Sequence, residues 1–482
     1  MARVREPRPL AGVSALQRSL NANAPRKAIS SSRTRQTPTP IILFTIAGLI
    51  VVALTFGGGG VRYGLANLVV QLAALGLLAF YQNAFFAFWK DAPIALRMLV
   101  AVSIAVPLLH LIPLPETVWT GLPGRALAAE ARASVGALGW APATLDSART
   151  MVALSGLIAP LAVLAIGWSI RRDRLFLIGW VVAAFGLITL LIGIGQVSSP
   201  EAVTSFYPEN PMRGVLFGTF ANRNSTGLFL VCALTFAALL PAPRPHPIVI
   251  PARLAVCILL IIAIVLTRSR TALALALLPI LMGCAQFAAA HFLGRSQAVS
   301  SPKNGLILGG TALAAVALIA GIVALAPGRL GDTLERFDSD GDPRSYIWED
   351  ATYASSRYWP LGSGMGTFDE VFQVDESLEN MTQRRAGRAH NDYIEVAIEA
   401  GLPGLVVIAG WLALLGWMTL RAARSPQRWT AWSGSVILLA IALQSITDYP
   451  LRNQSMLAVG ALALLMLARC SEPSASAQDH TR

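Results

Sequence analysis

The strongest constraint on this chain is a recurring pattern. Runs of about twenty mostly apolar residues, nearly free of charge, alternate with short polar or Pro/Gly-rich stretches. Wound as a helix, such a run matches the hydrocarbon thickness of a bilayer, and inside lipid only helices or closed barrels satisfy their own backbone hydrogen bonds. Twelve spans are expected, near 41–56, 64–88, 94–112, 150–168, 175–197, 225–241, 249–267, 271–291, 305–327, 393–419, 429–447 and 453–468. The predicted fold class is an all-α polytopic integral membrane protein. Only 13% of the 482 residues are charged, against about 25% in a soluble domain, which excludes an ordinary cytosolic enzyme. The 40 Gly and 29 Pro are tolerated in spans because neighbouring helices satisfy the backbone groups they free.

Orientation follows from the cations. Residues 1–40 hold eight Lys and Arg, among them Arg3, Arg5, Arg8, Arg26, Lys27, Arg33 and Arg35, against the single acid Glu6. The positive-inside rule keeps this tail cytoplasmic, and a charged region of that length does not read as a secretory signal. The loops carrying Arg171, Arg172 and Arg174, and Arg421, Arg424 and Arg428, then fall inside as well. With twelve spans the inner side carries 21 Lys and Arg with 5 acids, the outer side 16 with 21, and Arg97 lies within a span. The formal charge of +12 is therefore mainly a topology signal and gives no support to a nucleic-acid partner.

The expected organisation is a basic tail over 1–40, nine spans over 41–327, a large outer loop over 328–392, three spans over 393–469 and a second inner tail over 470–482. The 328–392 loop holds 13 of the 26 acids and seven Arg, interleaved with Tyr346, Trp348, Tyr358, Trp359 and Phe368. A disordered linker has few aromatics, so a folded, partly helical cap is expected. The four cysteines, Cys232, Cys257, Cys284 and Cys470, lie in or beside spans and imply no disulfide framework.

Polar residues kept at the edge of a membrane are functional candidates, and four clusters qualify. In Thr267-Arg268-Ser269-Arg270 two arginines sit in a short turn on the side the positive-inside rule disfavours. Snorkelling to headgroups is the plain reading; a phosphate clamp is the sharper one, because a guanidinium stays charged and its fork matches phosphate oxygens in pairs. The 218–224 segment ends in Asn222, Arg223 and Asn224, a binding turn or an amide-rich loop. Asp342-Pro343-Arg344 reads as a Pro-started helix with a cation in its first turn, where the dipole prefers an anion; a bound anion would resolve the conflict. The last cluster is Arg388-Ala389-His390-Asn391-Asp392-Tyr393, followed by Glu395 and Glu399, where the loop re-enters the membrane. His390 is structural or a proton acceptor, since imidazole titrates near neutrality. Asp338, Asp340, Asp342 and Glu349 imitate a calcium loop, but Pro343 stands where Gly is required. No metal or cofactor site is expected.

The order of these motifs resembles the O-antigen ligase and polymerase family of bacterial lipid-linked glycan transferases. It is carried by the 218–224 turn, the Ser269-Arg270 pair opening a span, Arg344 with Ile347 and Trp348, the 360–368 stretch from Pro360 to Phe368, His390-Asn391-Asp392-Tyr393, and 399–404 from Glu399 to Gly404. It covers about residues 200–420, and Thr271 stands where the family has Gly or Ala. The resemblance implies a fold similar to GT-C-type glycosyltransferases in the bacterial inner membrane, with the large loop periplasmic. It also implies a donor glycan on undecaprenyl diphosphate and an acceptor hydroxyl on a lipid A core sugar, a growing glycan (polymerase) or a protein (oligosaccharyltransferase). Arg270, Arg344 and His390 match the family's essential arginines and histidine.

The chemistry of the residues fits. Cleaving the anomeric C–O bond leaves a lipid diphosphate, whose growing charge Arg270 and Arg344, with Arg268, are suited to stabilise without a metal. The expected donor contacts add Arg223, Asn222, Asn391, Asp392, Tyr393 and Arg388. His390 either accepts the acceptor's proton, its ring held by Asp392 or Asn391, or orients the diphosphate. Trp348, Tyr358 and Trp359 stack on sugars or pack within the cap. A transporter or lipid-linked-glycan flippase is the reading from another class. It predicts ionisable residues at mid-membrane and inverted repeats, whereas here the polar clusters lie at one face.

Overall fold

The computed structural model describes residues 39–198, 206–207, 212, 214–243, 246–292, 343–379, 381 and 386–472. The expected span at 305–327, the acidic pattern at 338–342 and the two tails, 1–38 and 473–482, lie outside them. Every other expected run falls on helix. In chain order these are α1 (Thr39–Phe56), α2 (Gly64–Phe80), α3 (Gln82–Asp91) and α4 (Ile94–His110), then, beyond the first long loop, α5 (Ser147–Ser155), α6 (Ile158–Gly167), α7 (Phe176–Ser198), α8 (Arg223–Leu239), α9 (Val249–Leu266), α10 (Arg270–Leu275) and α11 (Leu277–Phe292). After the cap helices α12 (Pro343–Tyr358) and α13 (Phe368–Asp375) come α14 (Asp392–Ala422), α15 (Arg428–Gln444) and α16 (Gln454–Cys470).

Six helical stretches among the described residues have the length and apolarity to cross a membrane: Pro40–Gly59, Ser147–Gly167, Arg172–Ser198, Val249–Leu266, Arg270–Ala290 and Asp392–Ala422. The run expected as one span at 64–88 is instead bent by 80° between α2 and α3. The break falls at Tyr81, whose backbone leaves the helical region, and the segment beyond it ends in Lys90 and Asp91. Ile94–His110, Arg223–Leu239 and Gln454–Cys470 are apolar but shorter. The expectation of twelve full-length spans thus corresponds, among the described residues, to six or seven helices of spanning length plus shorter apolar ones.

Burial separates two kinds of apolar helix. α8 and α16 are buried along nearly their whole lengths, as expected of helices apolar on every side that are surrounded by others. α9 is more apolar still, yet only 17% of it is buried. Its outer face, like those of Phe44, Leu65 and Leu420, is apolar surface that lipid can cover and water would not tolerate. The first long loop carries a two-stranded antiparallel sheet, β1 (Pro113–Leu114) with β2 (Ala141–Pro142). The cap has a small core of its own, in which Ala351, Ala354, Tyr358, Phe368 and Phe372 pack with Ile398 of α14.

A break in α14 seats the cap. Pro403 lacks an N–H and its ring excludes the carbonyl four residues earlier from a helical bond, while Gly401 adopts φ 55°, ψ −143° inside the helix. The loosened carbonyls are taken up by the cap: Ser363 N donates to Ile398 O (2.9 Å) and Gly364 N to Glu399 O (2.8 Å), and Leu402 N donates back to Pro360 O (2.8 Å). A side chain at Gly401 would collide with the Pro360 carbonyl, so glycine is required there both by space and by conformation. The 360–368 and 399–404 motifs are thus the two halves of one joint.

Candidate functional site

The polar clusters of the sequence converge on the start of α14. Asn391 caps that helix, its side-chain oxygen accepting from Tyr393 N (2.9 Å) and Ile394 N (3.1 Å). His390 precedes the cap with φ 50° and Arg268 has φ 51°. They are the only non-glycine residues with positive φ among those described. Such backbone persists only where the surroundings enforce it, and it gathers at functional sites. Around His390 the enforcement is visible: Ala389 N donates to Glu395 Oε1 (3.1 Å), Trp348 Nε1 donates to Ala389 O (2.8 Å) and Asp392 N donates to Ser445 O (2.9 Å).

His390 Nδ1 lies 3.3 Å from Asp448 Oδ1, and its ring lies 5.0 Å from that of Tyr449. The histidine side chain is 34% exposed, the aspartate 2%. Asn222 uses both ends of its amide: the oxygen caps α8 by accepting from Asn224 N (2.8 Å), and Nδ2 donates to Asp448 Oδ2 (3.1 Å). Burial pushes the Tyr449 phenol up to about 12, with the Asp448 charge adding to the effect.

The arginine turn joins from the other side. Ser269 donates to Asn224 Oδ1 (2.8 Å) and caps α10, whose first residue is Arg270; Thr271 Oγ1 meets Thr447 Oγ1 at 3.4 Å. Arg268 Nε is buried and finds no hydrogen-bond partner among the described residues. Arg223 opens α8 directly after Asn222. Arg344 stands in the first turn of α12, one helical turn before Trp348 and on the same face, so the Trp348–Ala389 hydrogen bond brings its helix to the His390 loop.

Several expected contacts are engaged differently. Asn391 and Asp392 do not hold the histidine ring; Asp448 does, because Asn391 is committed to the helix cap and Asp392 turns inward. Asp392 Oδ2 accepts from Ser445 Oγ (3.0 Å) and Leu451 N (3.3 Å). Arg388 pairs with the buried Glu395 (3.1 Å), and the Tyr393 hydroxyl donates to Ala442 O (2.9 Å). Of the cap aromatics, Tyr358 is buried in the cap core and Trp348 is tied to the backbone, while Trp359 is exposed. Arg97 donates to Trp89 O at the start of α4, near a helix end.

Beyond the expected residues the structure adds Arg452, 11% exposed, which meets Glu399 (2.7 Å), Glu395 (3.2 Å) and Asp392 (3.6 Å). Burial alone would lower its pKa; the three carboxylates override that and raise it above the ordinary arginine value. Asp448, Tyr449 and Arg452 share one signal in the sequence: the polar run Asp448-Tyr449-Pro450-Leu451-Arg452 between two apolar runs. Alongside α14 lies a cavity of about 1190 Å³, lined by apolar residues such as Leu68, Leu161 and Leu412 and bordered by Arg149, Arg388 and Arg452. Among the described residues no group of three His, Cys, Asp or Glu side chains is placed to hold a metal ion.

Compared with known protein families, residues 255–409 match the model described as O-Antigen ligase. That stretch includes the Ser269-Arg270 pair, Arg344 and His390; the 218–224 turn lies before it. No curated protein matches the chain.

Proposed function

From a chain whose residues 255–409 match the O-Antigen ligase family model, we propose a membrane glycosyltransferase that moves a glycan from undecaprenyl diphosphate to a lipid A core hydroxyl at the periplasmic face of the bacterial inner membrane. The observation that carries this reading is the meeting of three motifs. His390, with its partner Asp448 and the Asn222 that bonds Asp448, stands beside the Arg268–Arg270 turn through the Asn224–Ser269 and Thr271–Thr447 contacts, and beside the Arg344 helix through Trp348.

Each group then has a task. Nδ1 of His390 donates to the Asp448 carboxylate, which leaves the Nε2 lone pair for the acceptor's hydroxyl proton. As that proton leaves, the acceptor oxygen bonds to the anomeric carbon, and the C–O bond to the diphosphate breaks with its electron pair going to the phosphate oxygen. Arg270, Arg344 and Arg268 receive the growing charge, and the buried Nε of Arg268, which has no hydrogen-bond partner among the described residues, is a donor suited to a phosphate oxygen. The apolar cavity beside α14 offers room for lipid chains next to the site. Arg388, Asp392 and Tyr393 line that cavity, while Asn222 and Asn391 cap the helices that meet at His390 and Arg223 opens the helix that Asn222 caps. Release of carrier diphosphate needs charge stabilisation and one proton acceptor, and these residues supply both without a metal.

Replacing Arg270, Arg344 or His390 with Ala is expected to abolish glycan transfer in a purified, reconstituted system while membrane abundance stays normal. Full transfer by all three variants would sink the assignment. The glycans accumulated in a deletion strain identify the acceptor. Polymer retained on the carrier with short lipid A cores indicates a ligase, single repeats on lipid A a polymerase, and unchanged lipopolysaccharide with unglycosylated proteins a protein transferase.

A further inference from the structure

We propose that Arg452 is a positioning residue for His390. By gripping three carboxylates on the helix that starts just after the histidine, it fixes where Asp448 meets the imidazole. This rests on the reading of His390 as the proton acceptor.

Two chain segments are stapled together at both ends. At one end His390 Nδ1 meets Asp448 (3.3 Å) and the Tyr449 ring. At the other, Arg452, four residues after Asp448, meets Asp392, Glu395 and Glu399, which the spacing of α14 places along one face. Between the two ends, Leu451 N and Ser445 Oγ bond Asp392 Oδ2, and the short turn Pro450–Arg452 leaves little slack. Glu395 links the ends directly: Oε2 takes Arg452 and Arg388, while Oε1 takes Ala389 N, the residue before His390. A shift of Arg452 therefore moves Asp448 through the chain and the His390 backbone through Glu395. The guanidinium is suited to this task because its planar fork presents five donors in several directions, which a lysine ammonium on one flexible stem does not reproduce.

Among the described residues, the charged and titratable groups on the elements packed around His390 are Asp448, Tyr449 and Arg452 on the 448–452 turn, Arg388 on its own loop, Asp392, Glu395 and Glu399 on α14, Arg268 and Arg270 on the arginine turn, and Arg344 on α12. The test follows carbethoxylation of His390 by diethyl pyrocarbonate across pH, read by peptide mass spectrometry on the full chain in nanodiscs, with exposed His246 as internal reference. The R452K profile at His390 is expected to move onto that of D448N, with His246 unchanged. In transfer assays kcat of R452K falls about 10²-fold with the donor KM within about twofold. A His390 profile in R452K identical to wild type, whatever happens to thermal stability, overturns the proposal and leaves Arg452 as packing. Where R452K fails to accumulate, E395Q carries the same expectation, because it removes the charge that joins Arg452 to the Ala389 loop. The modification profile needs no turnover. A wild-type protein that transfers no glycan would overturn the glycosyltransferase reading, while the profile still decides the role of Arg452.

Discussion

Arg125 and Arg452 are both buried guanidinium groups, and their surroundings treat them in opposite ways. Arg125, 3% exposed, donates among the described residues to neutral oxygens only: Pro123 O (3.0 Å), Ala143 O (2.5 Å) and Gly362 O (3.0 Å), with the Tyr358 ring 5.8 Å away. Burial prevails there and lowers its pKa to about 10. Arg452 has three carboxylates, which outweigh burial. Carbonyl dipoles satisfy donors without neutralising the charge; carboxylates do both. The partner's charge, not depth, decides how firmly a buried cation is held. The jobs differ accordingly. Arg125 fastens the 113–146 loop to the cap turn, a link between loops outside the bundle, whereas Arg452 fastens the two segments that carry His390 and Asp448.

The largest expected effect is at Arg452. R452M leaves three buried carboxylates without a counter-charge, and breaking a buried pair in that way costs about 3–5 kcal/mol. The protein should show a much lower thermal midpoint in detergent and reduced membrane abundance, partly restored by adding E395Q and E399Q. An R452M protein as stable as wild type would remove the basis of the contrast. The next effect is at Arg125. R125M deletes hydrogen bonds to neutral carbonyls and leaves no orphaned charge, so about 1–3 kcal/mol is expected, together with faster proteolysis of the 113–146 loop. A loss at Arg125 equal to or greater than that at Arg452 would reverse the ranking and show that donor count outweighs partner charge.

The elements were more legible than the contacts between them. Apolar runs marked the helices because burial in lipid or in a helix bundle demands continuous apolar surface. Pro343 marked the start of α12 because proline at a first helical position sacrifices no hydrogen bond. The 80° bend at Tyr81 was not legible, since a polar Tyr-Gln-Asn triplet in an apolar run also fits a straight helix. The partner of His390 was hidden for a different reason. Asp448 lies 58 positions away, whereas Asn391 and Asp392 are adjacent, and adjacency in sequence favours them although the helix cap turns their side chains elsewhere. Asp392, Glu395 and Glu399 share a helix face in a way that ordinarily signals contact with water; only the returning Arg452 shows that the face is interior.

Arg149 separates the two variables that Arg125 and Arg452 leave entangled. It has carboxylate partners, as Arg452 does, meeting Glu370 at 2.7 Å and Asp369 at 3.7 Å, but its side chain is 42% exposed and theirs 28% and 24%. Water screens the attraction, and holding two long side chains in one geometry costs entropy, so the pair is worth under about 1 kcal/mol despite its short distance. R149M is therefore expected to lower the thermal midpoint least of the three variants. Its difference from wild type should shrink as salt rises and the screening length falls toward the charge separation, whereas the Arg452 difference should persist in salt. The measurement is a pair of thermal unfolding series at low and high ionic strength. If R149M costs as much as R125M, and equally at both ionic strengths, carboxylate partners act irrespective of water. Burial would then have to be dropped from the account of what makes Arg452 hold.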